Sequence, residues 1–274
     1  MLIFIPVLLI SPIYQVDSEV ESSAINETIM FSGYEWNVKN SAGALWGPGP
    51  NFFNDSIQNV WVDSNGSLHL RITHGICLDQ WFCAEVYSVE SFGYGTYNFT
   101  LTPGFENLDK NVVLGLFTYL DDLNEIDIEF AKWGQDTTEN GQYVLQPSWK
   151  PNHIERFEFD LQGEDSIHGF TWCKNAIDFW SYSASYEFKW RYYGSGIPLP
   201  STEHVNMNLW LMQGLAPSDY LETEVVIKSF EFTPSECGDS PISIWWVFSF
   251  SLVGLVGIVS VSIVLIIRKK KKSR

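Results

Sequence analysis

The heptapeptide Asn124 to Phe130, NEIDIEF, reads as a strand with two unlike faces. Ile126, Ile128 and Phe130 alternate with Glu125, Asp127 and Glu129, the period of two that marks a half-buried strand. One face enters a core and the other carries three carboxyls. Acidic residues disfavour strands, and stacking three on one face costs stability unless something uses them. The surroundings have the same character. Between Ile29 and Phe232, short apolar-alternating runs follow one another at close spacing: 57–62, 68–73, 94–101, 112–119, 142–145, 157–161, 177–181, 205–212 and 225–232. The first two flank the turn Asp63-Ser64-Asn65-Gly66, which predicts a hairpin. No helical stretch interrupts the series. With 12 Trp, 12 Tyr and 19 Phe to cover, the body is expected to be one all-β domain, an antiparallel β-sandwich over residues 29–232.

The three carboxyls suggest chemistry. At about 3.3 Å per residue the two glutamate Cα atoms lie roughly 13 Å apart, and side chains leaning together bring their carboxyls within about 5 to 6 Å. That matches the gap of about 5 to 5.5 Å with which paired carboxylates attack a sugar carbon and shuttle a proton, with retention of configuration. Three crowded like charges do not all ionise, so the cluster is expected to share protons and to lift at least one pKa toward the range of a general acid.

Charge narrows the partner. Net charge is −17 even though Arg268, Lys269, Lys270, Lys271, Lys272 and Arg274 form a basic tail; without those six, 10 basic residues face 33 acidic ones. A body this acidic repels nucleic acid and sulfated polymers and favours a neutral partner.

The ends point to a membrane. Met1 to Val16 is mostly apolar and predicts an export segment over residues 1–24. Ile242 to Ile267 is 26 residues without a charge, long enough to cross a hydrocarbon core of about 30 Å as one C-terminal transmembrane helix. Trp245 and Trp246 sit at its outer edge, and the basic tail at 268–274 faces the cytoplasm, which puts the body outside the cell on a linker at 233–241. Sequons at Asn26, Asn54, Asn65 and Asn98 agree with export. Cys77, Cys83, Cys173 and Cys237 allow three pairings in an oxidising compartment. Cys77 with Cys83 would close a small loop, and Cys173 with Cys237 would tie the body to the segment before the membrane. Their spacing fits no zinc pattern, and no cofactor is expected.

Several segments in order resemble glycoside hydrolase family 16, in particular its lichenase and laminarinase branches. They are Cys83-Ala84-Glu85, Tyr94-Gly95-Thr96-Tyr97, the heptapeptide itself, Gly169-Phe170-Thr171-Trp172 and Met207-Asn208-Leu209-Trp210. The resemblance implies a concanavalin A-like jelly roll with a cleft across its concave sheet, and retaining endo-hydrolysis of a β-linked polysaccharide such as a β-1,3- and/or β-1,4-glucan; a monomer is expected. Glu125 becomes the nucleophile, Glu129 the general acid and base, and Asp127 the residue that tunes the nucleophile. Trp172 and Trp210 would line the cleft as stacking surfaces for sugar rings. Asn208 and Glu85 would bond sugar hydroxyls. Some members hold structural calcium on the convex face, and no stretch here singles out such a site. Two positions depart from the lichenase pattern: Tyr87, expected among the substrate-binding residues, stands where an Arg is found, and Leu123-Asn124 replaces a Trp-Asp pair. The same scaffold could pass sugar to another glycan rather than to water, or serve as a surface carbohydrate-binding protein without turnover; the intact Glu125, Asp127 and Glu129 favour hydrolysis.

Overall fold

The computed structural model describes residues 27–235. The expected export segment, the Asn26 sequon, Cys237, the apolar span at 242–267 and the basic tail lie outside the described residues. Among the described residues no helix is long and apolar enough to cross a membrane.

Among the described residues sixteen strands follow in chain order, the first eight being β1 (Thr28–Phe31), β2 (Tyr34–Val38), β3 (Phe52–Phe53), β4 (Val60–Val62), β5 (Leu68–Gly75), β6 (Gln80–Ser88), β7 (Gly95–Leu101) and β8 (Val112–Asp121). The second half comprises β9 (Asn124–Phe130), β10 (Gly141–Leu145), β11 (Ile154–Phe157), β12 (Ser166–Trp172), β13 (Ala176–Tyr182), β14 (Glu187–Tyr193), β15 (His204–Leu211) and β16 (Thr223–Pro234). They form an all-β, jelly-roll-like sandwich. One sheet runs β11-β10-β9-β8-β15-β6, with β2 and β1 beyond β6, and the other runs β5-β16-β7-β12-β13-β14. The sheets meet at a corner where β5 and β6 pair only beside their own turn, Thr73 with Phe82 through Gly75 with Gln80.

Burial along the strands reports what covers each sheet. In β7, Tyr97, Phe99 and Leu101 are buried while Thr96, Asn98 and Thr100 are not, the clean alternation of a sheet with one wet face. In β8 and β15 the alternation fails, and Val112 to Leu116 and Val205 to Leu209 are buried without a break. Leu114, Leu116, Met207 and Leu209 pack into the core, so their neighbours on the opposite face must be covered by something other than the second sheet. That face is the floor of a cleft.

The predicted hairpin around Asp63 forms: Val60 pairs with Leu70 and Val62 with Leu68, and Gly66 takes the left-handed φ of 83° that closes the turn. The predicted strand at 157–161 is displaced. The ladder ends at Phe157; beyond it Phe159 and Leu161 are still buried, but the Asn140 side chain takes the place of a strand partner, accepting from Phe159 N at 2.9 Å and donating to Phe159 O at 2.9 Å. Thr233 and Pro234, expected as linker, continue β16 against Thr96 and Gly95. Cys77 and Cys83 are both free, one exposed at the β5–β6 turn and the other buried on β6, so their pairing into a small loop is not formed. Cys173 is disulfide-bonded.

The outer face of the second sheet contains a tight approach. Gly169 on β12 pairs with Asn98 and Trp180 on its two neighbours, and a Cβ there would lie 2.4 Å from the Tyr97 carbonyl oxygen and 2.7 Å from the Trp180 ring. Backbone cannot yield to such a contact. Gly169→Ala is therefore expected to destabilise the domain by about 1–3 kcal/mol, read as a lower urea midpoint at unchanged m-value.

Candidate active site

Strand β9 lies between β8 and β10 near one margin of the first sheet, and its even-numbered side chains, Ile126, Ile128 and Phe130, go into the core with 0% exposure. Parity sends Glu125, Asp127 and Glu129 to the opposite face, where all three line one cleft. The same parity rule brings Gly115, Phe117 and Tyr119 from β8, Asn206, Asn208 and Trp210 from β15, and Glu85 from β6 to that face. A wall comes from Trp46, Gly47 and Pro48, in the irregular segment between β2 and β3. That segment is pinned by Asn51, whose side-chain amide donates to Leu211 O and Pro48 O, each at 2.8 Å. The cleft volume, about 510 Å³, lies within the range of about 300–1,000 Å³ usual for small-molecule sites.

The electrostatics of the three carboxyls follow from their burial. Loss of water pushes Glu125 up to about 8, offset by a hydrogen bond with Asp127 and reinforced by the charge of Glu129. Asp127, 2% exposed, is raised well above the usual carboxylate range by burial first and then by its two acidic neighbours. A hydrogen bond between two carboxyls needs a proton on one of them, and this bond lowers Glu125 while raising Asp127, which puts the proton on Asp127. The Gln146 side chain donates to Asp127 Oδ2 at 3.2 Å, and the Gln146 backbone N–H donates to Glu125 O at 3.1 Å. Glu129 is pushed up to about 7 by burial, against the pull of Gln142, whose amide donates to Oε2 at 2.7 Å, and of the more distant Arg156 charge.

A second polar group lies across the floor. Glu85 is raised by burial, and Lys39 opposes that shift by holding both carboxylate oxygens at 2.9 Å while also donating to Gly47 O at 2.7 Å. The Lys39 ammonium sits 4.3 Å from the Phe53 ring centroid. Asn208 donates to Glu85 Oε2 at 3.3 Å, and its own oxygen, Oδ1, has no donor among the described residues. It points over Gly115, where a Cβ would approach it to 2.5 Å. An unfilled acceptor above a missing side chain suits a ligand hydroxyl.

Seven of the eight residues singled out in the sequence share this sheet face, and six of them line the cleft. Tyr87 continues the cleft face of β6, but its ring packs edge-on to His204 at 6.0 Å and it is not among the lining residues. Trp172 is a correction. It shares parity with His168 and Phe170 on β12, in the other sheet, and so falls between the sheets at 1% exposure, edge-on to Tyr94 and donating its indole N–H to Pro198 O at 3.1 Å. No ligand in the cleft can reach it. Trp210 does line the cleft, half-buried, with Trp133 edge-on at 6.2 Å. Sequence reading missed Lys39, Trp46, Gln142, Gln146 and Arg156. Phe117 and Tyr119 were also missed, although the alternation within 112–119 already placed them opposite Leu114 and Leu116.

No family model matches the chain. A β-glucanase of Bacillus licheniformis is 33% identical over 128 residues, which cover 43% of this chain and 49% of that protein. The chain thus spans about half the length of the curated relatives it matches. In structure, the B. licheniformis β-glucanase superposes with a TM-score of 0.58 at 23% identity, covering 73% of this chain and 92% of that one. A pseudo β-1,3-glucanase of Mycobacterium tuberculosis superposes with a TM-score of 0.56 at 23% identity, covering 73% and 91%. The fold is shared with all of these.

Proposed function

We propose that the chain is a retaining endo-glycosidase that hydrolyses a neutral β-1,3- or β-1,4-linked glucan. The observation that carries the reading is the row Glu125, Asp127, Glu129, its middle carboxyl buried and its outer two half-buried, on the floor of a cleft that Trp210 also lines and Trp46 walls. In the first step ionised Glu125, receiving the Asp127 proton as a hydrogen bond, attacks the anomeric carbon while Glu129 protonates the glycosidic oxygen. The carbon–oxygen bond breaks, one half of the polymer leaves as an alcohol, and the other remains as an ester on Glu125. In the second step Glu129, now a carboxylate, takes a proton from water as that water attacks the same carbon, and Glu125 is released. The three carboxyls titrate as one coupled group, and the cycle starts from the arrangement with a proton on Asp127, a proton on Glu129 and a single negative charge on Glu125. The lone acceptor of Asn208 and the Lys39-held Glu85 would bind sugar hydroxyls, and Trp210 would stack on a ring.

The likeness to Bacillus β-glucanases and the resemblance to glycoside hydrolase family 16 support a glucan as substrate. Fold alone would not support turnover, since a pseudo-glucanase has the same one. We place the domain outside the cell on a single-pass anchor, a placement that rests on the apolar span at 242–267 and the basic tail after it.

The test is to incubate the full chain with β-1,3-, β-1,4- and mixed-linkage glucans beside β-galactans and sulfated galactans, following new reducing ends and, by NMR, the first anomer formed. A β-anomer appearing first from a neutral glucan is the expected result. An α-anomer first would replace retention by inversion, and binding without new reducing ends would leave a carbohydrate-binding protein on a hydrolase fold.

A further inference from the structure

Three side chains form a row across the margin of the sheet. Glu129 on β9 stands opposite Gln142 on β10, and Gln142 stands opposite Arg156 on β11. Gln142 is 5% exposed and Arg156 is exposed. A primary amide can turn either its oxygen or its nitrogen toward a neighbour, but a guanidinium has only donors. Arg156 Nε approaches the Gln142 side chain at 3.2 Å, which requires the carbonyl oxygen Oε1 on that side. The amide nitrogen is then forced toward Glu129, where it donates to Oε2 at 2.7 Å. Without the guanidinium, either orientation of the amide would be open, and one of them would set oxygen against carboxylate.

We infer that Arg156 and Gln142 are positioning residues which lock Glu129 through Oε2, leaving Oε1 as the oxygen that gives and takes the proton at the glycosidic bond. The inference rests on the reading of Glu129 as general acid and base. The relay does two things for that role. It fixes the carboxyl by one oxygen, so the proton-carrying oxygen keeps one direction through both steps. It also stabilises the carboxylate, the form needed to activate water in the second step, against a site whose dryness favours the acid.

Two measurements test it on the full chain. The first is titration of the ¹³C-labelled Glu129 carboxyl by NMR in the native chain, in Gln142→Met and in Arg156→Met. Loss of the donor is expected to raise the midpoint by about one unit in Gln142→Met, and the loss of amide orientation to raise it by less in Arg156→Met. Arg156 is exposed, so its variant keeps the fold if Gln142→Met does not. The second compares a glucan with an aryl glycoside whose leaving group needs no proton. The relay predicts a fall of about tenfold in kcat/KM for the glucan, less than a twofold change in kcat/KM for the aryl glycoside, and a lower kcat for both because the second step still needs Glu129 as base. Midpoints unchanged in both variants, or equal losses of kcat/KM on both substrates, would overturn the relay. If the native chain turned over neither substrate, the hydrolase reading would fail, while the carboxyl titration would still decide whether Arg156 and Gln142 hold Glu129.

Discussion

Glu125→Ala is expected to lower turnover of a neutral glucan by about a thousandfold or more while leaving glucan binding in place, and azide should restore turnover of an activated aryl glycoside with a diagnostic product. Removing the carboxylate empties the space from which it would attack the anomeric carbon. Azide entering that space makes the only displacement, so the expected product is the α-glycosyl azide from a β-glycoside. Glu129→Ala separates the roles. There the activated substrate still forms the ester on Glu125, because its leaving group departs without a proton, but water is no longer activated for the second step. Azide attacks the ester from the opposite side, and two inversions give the β-glycosyl azide. Opposite products from the two variants establish which carboxyl attacks and which moves the proton. The reverse pairing of products would exchange the assignments of Glu125 and Glu129, and unchanged turnover in either variant would sink the mechanism.

The experiment turns on residues that were legible in seven letters. Alternation in NEIDIEF states both that Ile126, Ile128 and Phe130 enter a core and that the three acids share the other face, and nothing in the tertiary structure alters either point. Alternation carries less elsewhere. At 157–161 it correctly reports that Phe157, Phe159 and Leu161 are buried, yet the ladder stops at Phe157 because Asn140 satisfies the backbone beyond it. Trp172 shows another limit: its parity is readable from Gly169-Phe170-Thr171-Trp172, but which sheet β12 joins is a matter of topology, and that decides between cleft and core. Gln142 and Arg156 are 13 and 27 positions from Glu129 and become its neighbours only through cross-strand register. Lys39 and Trp46 come from a segment without any period, held in place by Asn51. What a strand's own letters determine is which way each side chain faces; what lies opposite is set by pairing.

Pairing also builds a buried polar group whose titration should govern stability in acid. His168 is 1% exposed, between Phe130, whose ring centroid is 4.6 Å away, and Phe105 at 5.4 Å. The Tyr143 hydroxyl donates to Ser181 Oγ at 2.8 Å, so the Ser181 proton is free to go to His168 Nδ1 at 2.8 Å, while His168 Nε2–H donates to Ser166 Oγ at 2.8 Å. Every partner is satisfied by the neutral ring, and an imidazolium would need a second acceptor that the site lacks. Burial accordingly pushes His168 down to about 3 from its ordinary 6.5. In the unfolded chain the ring takes its proton near pH 6.5, so the folded state is at full advantage above that pH and loses about 1.4 kcal/mol per unit as pH falls toward 3, about 5 kcal/mol in all. That is a large part of the roughly 5–15 kcal/mol by which domains are stable. The cleft carboxyls act with the opposite sign: their folded pKa values lie above those of the unfolded chain, so their contribution is present below about pH 4 and is lost as pH rises toward 8. The two opposing slopes can be separated by difference. Urea unfolding of the native chain and of His168→Gln at pH 7, 5 and 4 should show the native chain more stable at pH 7 and the gap closing by about 1.4 kcal/mol per unit below pH 6.5, since only the native chain carries this ring and the carboxyls are common to both. Parallel stability curves would mean that the folded protein accepts the proton on His168 after all, through a rearrangement of Ser166 or Ser181 that supplies the missing acceptor.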